Sequence, residues 1–304
     1  MWQKLLQEII VGKEKSLARC ISLVENEVEG FYNFLQQLPH SSTPVIGITG
    51  PPGAGKSTLV DAIIETLVND NKKVGIICVD PSSPFNLGAL LGDRIRMSNW
   101  YNHPNVFIRS LATRGSLGGL HPKIIEITDV MKAALFDFII VETVGVGQSE
   151  IEIAGLADFT VVVLVPEAGD EVQTMKAGLM EIANMFVVNK ADRPDSDSFV
   201  KNLRMMLAPT FHHHKEEIKI IKTVAITKQG VEDVVKEMYN VRCKMLDVQT
   251  TTNDKNSWLL TEKAFHIIQQ HRMKNINKYQ LKQEIEVAAN NKEFNLYQYL
   301  KKYI

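Results

Sequence analysis

A glycine-rich stretch near residue 50 limits what this chain can fold into more than any other feature of the sequence. Residues 50–58 read GPPGAGKST and match the pattern G-x-x-x-x-G-K-[ST]. An apolar run at 45–49 precedes the stretch and an amphipathic run at 59–68 follows it, so the pattern predicts a strand, a loop and a helix. Glycines let backbone N–H groups turn inward around phosphates, and the helix adds the positive end of its dipole. The stretch therefore predicts a phosphate-binding loop, with a glycine-rich turn that holds no ligand as the alternative.

The residues of this loop, the P-loop, have distinct predicted roles. We expect the Lys56 ammonium group to reach the β- and γ-phosphates of a nucleotide, and the Ser57 hydroxyl to ligate magnesium. Pro51 and Pro52 stand where partition-type ATPases carry a second lysine, which argues against that class. The predicted nucleotide-binding residues of the loop are Gly50, Pro51, Pro52, Gly53, Ala54, Gly55, Lys56, Ser57 and Thr58.

The whole chain divides into three zones by the spacing of its apolar residues. Residues 1–43 repeat them at helical steps and predict an N-terminal helical extension, and residues 248–304 predict a C-terminal helical arm. Residues 44–247 alternate short apolar runs with amphipathic stretches, which predicts an α/β domain with a doubly wound, mostly parallel sheet. The predicted strands are 45–49, 74–79, 106–109, 136–141, 160–165, 185–188 and 218–223.

Acidic residues follow several of these strands, at the edge where a doubly wound sheet binds its ligand. Asp80 ends the second predicted strand, Asp93 lies in the loop after it, and Glu142 ends the fourth. A P-loop needs carboxylates there to hold magnesium directly or through water. We predict that the magnesium ligands are Ser57, Asp80, Asp93 and Glu142. Turn formation or helix capping is the alternative for the two aspartates.

The tetrapeptide that begins at Glu142 reads ETVG and stands where GTPases more often carry D-x-x-G. We expect the Gly145 amide to sense the γ-phosphate, and we predict Lys56, Glu142 and Gly145 as catalytic residues. The sequence singles out no group that positions the attacking water. The candidates are Gln148, an arginine of a partner, and Arg94, Arg96, Arg109 or Arg114. We therefore expect slow hydrolysis by the chain alone and faster hydrolysis with a partner.

The tetrapeptide NKAD at 189–192 follows the predicted strand at 185–188. The Asp192 carboxylate can accept from both N1–H and the exocyclic amine of guanine, a donor pair that adenine lacks. We expect Lys190 to lie across the purine plane and Asn189 to tie this segment to the P-loop. A charged, exposed turn is the alternative. The segment predicts that the nucleotide is GTP or GDP.

A second segment of the base site follows the last predicted strand, where GTPases often carry Ser-Ala. This chain has Val224, Ala225 and Ile226 there. The Ala225 amide can still face guanine O6, whereas Val224 cannot supply a hydroxyl.

Composition and charge limit the classes of partner, and the cellular location, that we expect for this chain. The formal net charge is −1 and no basic run occurs, which argues against a nucleic-acid partner. The longest apolar run is too short to span a bilayer, so we expect a cytoplasmic protein without a membrane partner. The cysteines form no Cys-x-x-Cys pair. The adjacent histidines at 212–214 favour a solvated loop over a metal site, because neighbours in sequence do not share one helix face.

Six strings carry a more specific signal than the P-loop alone: GPPGAGKST, DPSSPFNLGALLGDRIRM (80–97), RSLATRGSLGGL (109–120), VETVGVGQSE (141–150), PEAGDEVQTMKAG (166–178) and NKAD. Together they resemble the MeaB/ArgK/MMAA group, the GTPases that chaperone adenosylcobalamin-dependent methylmalonyl-CoA mutase. The resemblance runs from residue 45 to about residue 240. Asn86-Leu87 and Val224 depart from the group's usual Thr-Gly and Ser, which affects expected nucleotide affinity more than activity.

The resemblance implies a fold, an assembly and a partner. The fold is that of the metallocofactor chaperones among the SIMIBI-class P-loop NTPases, and the assembly is a homodimer built through the C-terminal arm. The partner is an adenosylcobalamin-dependent acyl-CoA mutase, whose cofactor loading the GTPase gates and which stimulates hydrolysis. Three switches are implied at 80–97, 142–156 and 166–178, the last acting through Asp170, Glu171, Gln173 and Lys176.

Two other functions stay open at this point. A small-molecule kinase of the arginine/ornithine type could use the same P-loop for phosphotransfer, but NKAD and the lack of an evident acceptor site argue against it. A nickel-insertion GTPase would need more histidine and cysteine ligands than this sequence provides.

Overall fold

The computed structural model describes residues 1–80, 97–113, 120–143, 152–168, 180, 182–207, 218–246, 254–273, 281, 283–285 and 287. It divides the chain into two compact units, Met1–Leu259 and Leu260–Ile304. The domain boundaries at 43/44 and 247/248 stay predictions. Several residues named from the sequence lie outside the described ranges: Asn86, Leu87, Asp93, Arg94, Arg96, Arg114, Gly145, Gln148, Asp170, Glu171, Gln173, Lys176 and 212–214.

The described part of the first unit contains a seven-stranded sheet. Its strands are β1 Val45–Thr49, β2 Val74–Asp80, β3 Val106–Ala112, β4 Phe138–Glu142, β5 Phe159–Leu164, β6 Met185–Val188 and β7 Lys219–Lys222. The order is β3-β2-β4-β1-β5-β6-β7, and each neighbouring pair is parallel. The chain therefore winds outward from β1 to both edges, which confirms the predicted doubly wound α/β fold.

The helices of the described residues are α1 Trp2–Ile10, α2 Glu14–Glu25, α3 Phe31–Leu35, α4 Lys56–Asn69, α5 Ile124–Lys132, α6 Ser196–Leu207, α7 Val231–Leu246 and α8 Asp254–Met273. Short 3₁₀ turns occur at Ser98–Trp100, Ile153–Gly155 and Pro166–Ala168. None of these helices is both long and apolar enough to cross a membrane.

Strand β5 shows why helices must cover both faces of the sheet. Successive strand side chains point to opposite faces, and every side chain from Val161 to Leu164 is apolar and buried. Val161 and Val163 pack in one core with side chains of α4 and α7. Val162 and Leu164 pack in a second core with α6. A strand without a polar face has no side to turn to water, so the sheet is covered on both faces.

The predicted strand at 106–109 is too short. Strand β3 continues to Ala112 and pairs with β2 in register as far as Asp80. Arg109, in the middle of β3, contacts α2, since its Nη2 donates to Glu25 Oε2 at 2.7 Å and to Ser22 Oγ at 3.1 Å. A charged side chain within the strand is thus satisfied by a helix that lies far away in the sequence. The other strand ends differ from prediction by at most two residues.

Candidate nucleotide-binding site

Three glycines shape the P-loop between β1 and α4, and each has a positive φ: 138° at Gly50, 77° at Gly53 and 86° at Gly55. A Cβ at Gly50 would lie 2.1 Å from the Val163 carbonyl oxygen, and one at Gly55 would lie 2.4 Å from Asn189 Nδ2. A Cβ at Gly53 would meet nothing within 4 Å. Glycine is therefore required by close contact at two positions and by backbone conformation at all three.

Lys56 is the first residue of α4, and its side chain folds back over the loop. Its Nζ donates to the carbonyl oxygens of Gly50 at 2.8 Å and Pro51 at 3.0 Å. The residue is only 6% exposed. The ammonium group thus lies inside the turn of the P-loop, at the N-terminus of a helix, where an anion is favoured electrostatically.

Ser57 and Glu142 are in direct contact beside the loop. Ser57 Oγ donates to Glu142 Oε1 over 2.6 Å, and both residues are buried. Asp80 is also buried, and it is the last residue of β2. Strand β2 pairs with β4, and Cys78 of β2 lies opposite Glu142 of β4 in this pairing. Two carboxylates and a hydroxyl therefore reach the same edge of the sheet. These are hard oxygen donors of the kind that magnesium prefers, so the described residues fit a magnesium ion.

Asn189 follows β6 and connects three loops. Its Nδ2 donates to the Ala54 carbonyl oxygen in the P-loop at 3.0 Å. Its Oδ1 accepts from Thr223 Oγ1 and from the Ala225 backbone N–H, each at 3.1 Å. Because the Asn189 side chain is buried and uses both of its ends, it joins the NKAD segment to the P-loop and to the segment after β7.

Lys190 makes a second connection to the P-loop. Its backbone is left-handed, with φ of 56°, and its Nζ donates to the Gly53 carbonyl oxygen at 2.7 Å. The neighbouring Asp192 is exposed, as a group that receives a ligand from solvent must be. The stacking of Lys190 on guanine and the pairing of Asp192 with its edge stay predictions.

The segment after β7 is a tight turn closed by an antiparallel bridge between Val224 and Gln229. The Ala225 amide donates to Asn189, so a contact of this amide with guanine O6 would share or replace that bond. Ile226 lies at the tip of the turn with 83% of its surface exposed. Val224 and Ile226 remain predicted nucleotide-binding residues.

Two features of the site were not predicted from the sequence. Thr223 is buried and donates its hydroxyl hydrogen to Asn189, but a threonine directly after a strand gives no local signal of this role. Arg193, directly after Asp192, pairs with Glu167, and its hydrogen bond holds the pKa of that carboxyl below the usual value. This ion pair joins the NKAD segment to the residues that lead into 169–179.

A glycine-lined P-loop, carboxylates at the ends of neighbouring strands and an NKAD segment joined to that loop are the features of a P-loop GTPase. The chain belongs to the MeaB family: residues 17–278 match the family model described as methylmalonyl Co-A mutase-associated GTPase MeaB. The resemblance noted in the sequence is thereby confirmed.

Relatives agree with this family assignment, and a solved structure agrees with the fold. A protein of Pyrococcus abyssi described as a GTPase is 45% identical over 239 residues, which are 77% of this chain and 74% of that protein. A fused isobutyryl-CoA mutase of Cupriavidus metallidurans is 34% identical over 229 residues, 72% of this chain and 21% of the mutase. The crystal structure of an LAO/AO transport system kinase superposes with a TM-score of 0.67 at 23% identity, covering 99% of this chain and 96% of that one. At this identity the structural match supports the fold alone.

Proposed function

We propose that this GTPase binds magnesium and GTP at the P-loop edge of the sheet and uses hydrolysis to change conformation. The observation that carries the metal role is the 2.6 Å contact between Ser57 Oγ and Glu142 Oε1, with Asp80 buried on the neighbouring strand. These three residues would hold the ion directly or through water. Magnesium, when bound, would neutralise charge on the phosphate oxygens.

The residues of the chain supply the rest of the electrostatic environment. Lys56 would exchange its two carbonyl partners for phosphate oxygens, because an ammonium group bonds more strongly to an anion than to a neutral oxygen. Asp192 would select guanine, and Asn189 would keep the base segment at a fixed distance from the P-loop. Asp93, as a magnesium ligand, and Gly145, as a sensor of the γ-phosphate, remain predicted residues of the site.

We propose further that the chain acts on an adenosylcobalamin-dependent acyl-CoA mutase, gating the loading of its cofactor and protecting the enzyme. The support is the fused relative, in which a segment similar to most of this chain belongs to the same polypeptide as an isobutyryl-CoA mutase. Segments fused in one protein often act together as separate chains in another. The family description, which names methylmalonyl Co-A mutase, supports the same class of partner.

A homodimer is the assembly that we propose. Within the second unit, α8 exposes large apolar side chains: Leu260 (67%), Phe265 (58%), Ile268 (50%) and Met273 (57%). Apolar side chains grouped along one helix are typical of an interaction surface. A second copy of the chain would cover them.

Purified chain mixed with an acyl-CoA mutase tests the partner. Methylmalonyl-CoA and isobutyryl-CoA mutases should each be tried, since the sequence does not choose between them. We expect a complex by size-exclusion chromatography and an increase in GTP turnover of about fivefold or more with one of them. Lys56→Ala is the control, because it should retain the complex and lose the turnover.

Absence of both complex and stimulation with either mutase would contradict the chaperone function and leave the GTPase activity standing. The kinase function has its own readout in the same assay. Transfer of labelled γ-phosphate to arginine or ornithine, in place of release as inorganic phosphate, would replace the proposal.

A further inference from the structure

Two threonine hydroxyls meet in the interior of the sheet just below the P-loop. Thr49 Oγ1 and Thr143 Oγ1 are 2.9 Å apart, a hydrogen bond in which either can donate. Thr49 is 0% and Thr143 is 2% exposed. Both hydroxyls are therefore shielded from bulk water in the folded protein.

Each of the two threonines lies at the end of a strand, next to a residue of the candidate site. Thr49 is the last residue of β1 and directly precedes Gly50, where the P-loop begins. Thr143 directly follows Glu142, the last residue of β4. The Thr143 backbone N–H also donates to the Ile48 carbonyl oxygen at 3.0 Å. The side-chain bond thus extends the β1–β4 pairing by one residue, at the point where both strands enter the site.

Stability gives no reason for hydroxyls at these positions. Three neighbouring strand residues, Ile48, Val141 and Val162, are apolar and fully buried. Valine has nearly the shape of threonine and would pack there without the desolvation cost of a hydroxyl. A buried hydrogen bond roughly offsets that cost, so exchanging both partners for apolar groups is close to neutral. What valine cannot reproduce is the directional link between the two backbones.

We propose that the Thr49–Thr143 hydrogen bond is a positioning device for the magnesium site. It holds the end of β4 against the root of the P-loop, so that Glu142 Oε1 stays within reach of Ser57 Oγ. Thr49 and Thr143 are positioning residues, since they would act on the ion through Ser57 and Glu142. The inference rests on the proposed role of Ser57 and Glu142 as magnesium ligands.

The test uses valine and serine at each position in the full-length chain. Thr143→Val and Thr49→Val remove the bond, whereas Thr143→Ser and Thr49→Ser keep the hydroxyl and lose only a methyl group. The matched control is Thr128→Val. Thr128 is equally buried in α5 and donates to the Ile124 carbonyl oxygen at 2.6 Å, a bond within its own helix.

GTP turnover is measured against magnesium concentration, and GDP affinity is measured separately in EDTA. For each valine variant we expect the half-saturating magnesium concentration to rise about fivefold, with GDP affinity in EDTA within about twofold of wild type. The serine variants should return to within about twofold of wild type. Thr49→Val/Thr143→Val should match the single variants, because one shared bond is lost in all three.

Each contrary result has a distinct meaning. A magnesium-dependent wild type whose requirement is unchanged in the valine variants overturns this inference alone. Serine variants as impaired as the valine ones, or an equal change in Thr128→Val, would show a packing effect and also overturn it. A wild type that needs no divalent cation would overturn the magnesium site itself. If one valine variant does not fold, the variant at the other threonine makes the same test.

Discussion

Gly53 and Gly55 have nearly the same left-handed backbone but different surroundings. The space beside Gly53 is open, whereas a Cβ at Gly55 would clash with the Asn189 side chain, which joins the NKAD segment to the P-loop. Conformational strain is therefore common to both positions, and steric conflict is confined to one. These two glycines therefore separate the need for a left-handed backbone from the need to avoid the Asn189 side chain.

Gly55→Ala should weaken GDP binding by at least about tenfold, because it adds a clash with Asn189 to the strain of a left-handed alanine. Gly53→Ala, the matched control, carries the strain of about 1 kcal/mol alone and should weaken binding less than about tenfold. Titration with a fluorescent GDP analogue measures both. Equal losses in the two variants would contradict a special role for the Gly55–Asn189 contact.

Asp192→Asn should reverse the base preference. An amide presents a donor where the carboxylate accepts from guanine, so GTP should bind at least about 100-fold more weakly, and XTP, with a carbonyl in place of the amine, should bind better. Affinities for GTP, XTP and ATP provide the measurement. Asp195→Asn, a change of the same kind at an exposed left-handed position three residues on, should leave all of them unchanged. Retained GTP preference in Asp192→Asn would exclude Asp192 from base recognition.

At the scale of elements, the N-terminal helices hold the edge of the sheet through charged side chains. Arg109 on β3 bonds to Glu25 and Ser22 on α2, and His121 Nε2 lies 3.7 Å from the same Glu25 carboxylate. Burial of the Cys20 side chain on α2 raises the pKa of its thiol to about 12. At neutral pH the Cys20 thiol is therefore protonated, and it is buried away from reagents in solution. Its rate of alkylation should rise when α2 moves away from the sheet, so this rate measures the docking of α2.

Arg109→Met should destabilise the protein by about 2 kcal/mol, since it leaves the mostly buried Glu25 without its guanidinium partner. It should also speed the alkylation of Cys20 in the native protein, followed by peptide mass spectrometry. The exposed Cys243 serves as an internal standard. Lys222→Met breaks the more exposed Lys222–Asp197 pair and should change neither stability nor labelling. Unchanged Cys20 labelling in Arg109→Met would show that the contacts of Arg109 are not needed to dock α2.

At the scale of the whole molecule, oligomeric state is the property that the second unit should control. Phe265→Glu should convert the proposed dimer to a monomer, because a carboxylate would be buried without a partner in the interface. Light scattering after size-exclusion chromatography gives the mass directly. Met205→Glu on α6 puts the same charge at an apolar position that is also 58% exposed, and should leave the mass unchanged. A wild-type monomer at micromolar concentration would contradict the dimer.

Features that depend on neighbouring residues in the chain could be predicted from the amino-acid sequence. The P-loop could be predicted because the strand, the glycines and the helix that follows are consecutive, and glycine is required where φ is positive. The order of apolar runs and amphipathic stretches was sufficient for the doubly wound α/β fold, since strands without a polar face must be covered twice. The NKAD segment was visible for the same local reason.

Contacts between residues that are distant in the chain depend on how the strands and helices are arranged in space. The bond between Thr49 and Thr143 exists because β1 and β4 are neighbours in the sheet, although strands β2 and β3 separate them in the chain. Asn189 donates to the Ala54 carbonyl oxygen, although 135 positions separate the two residues in the chain. Arg109 bonds to Glu25 on a helix that precedes all the strands of the sheet in the chain. Apolar periodicity predicts that a strand is buried but not which strand lies beside it. Side chains that act across strands can therefore be assigned only after the strand order is known.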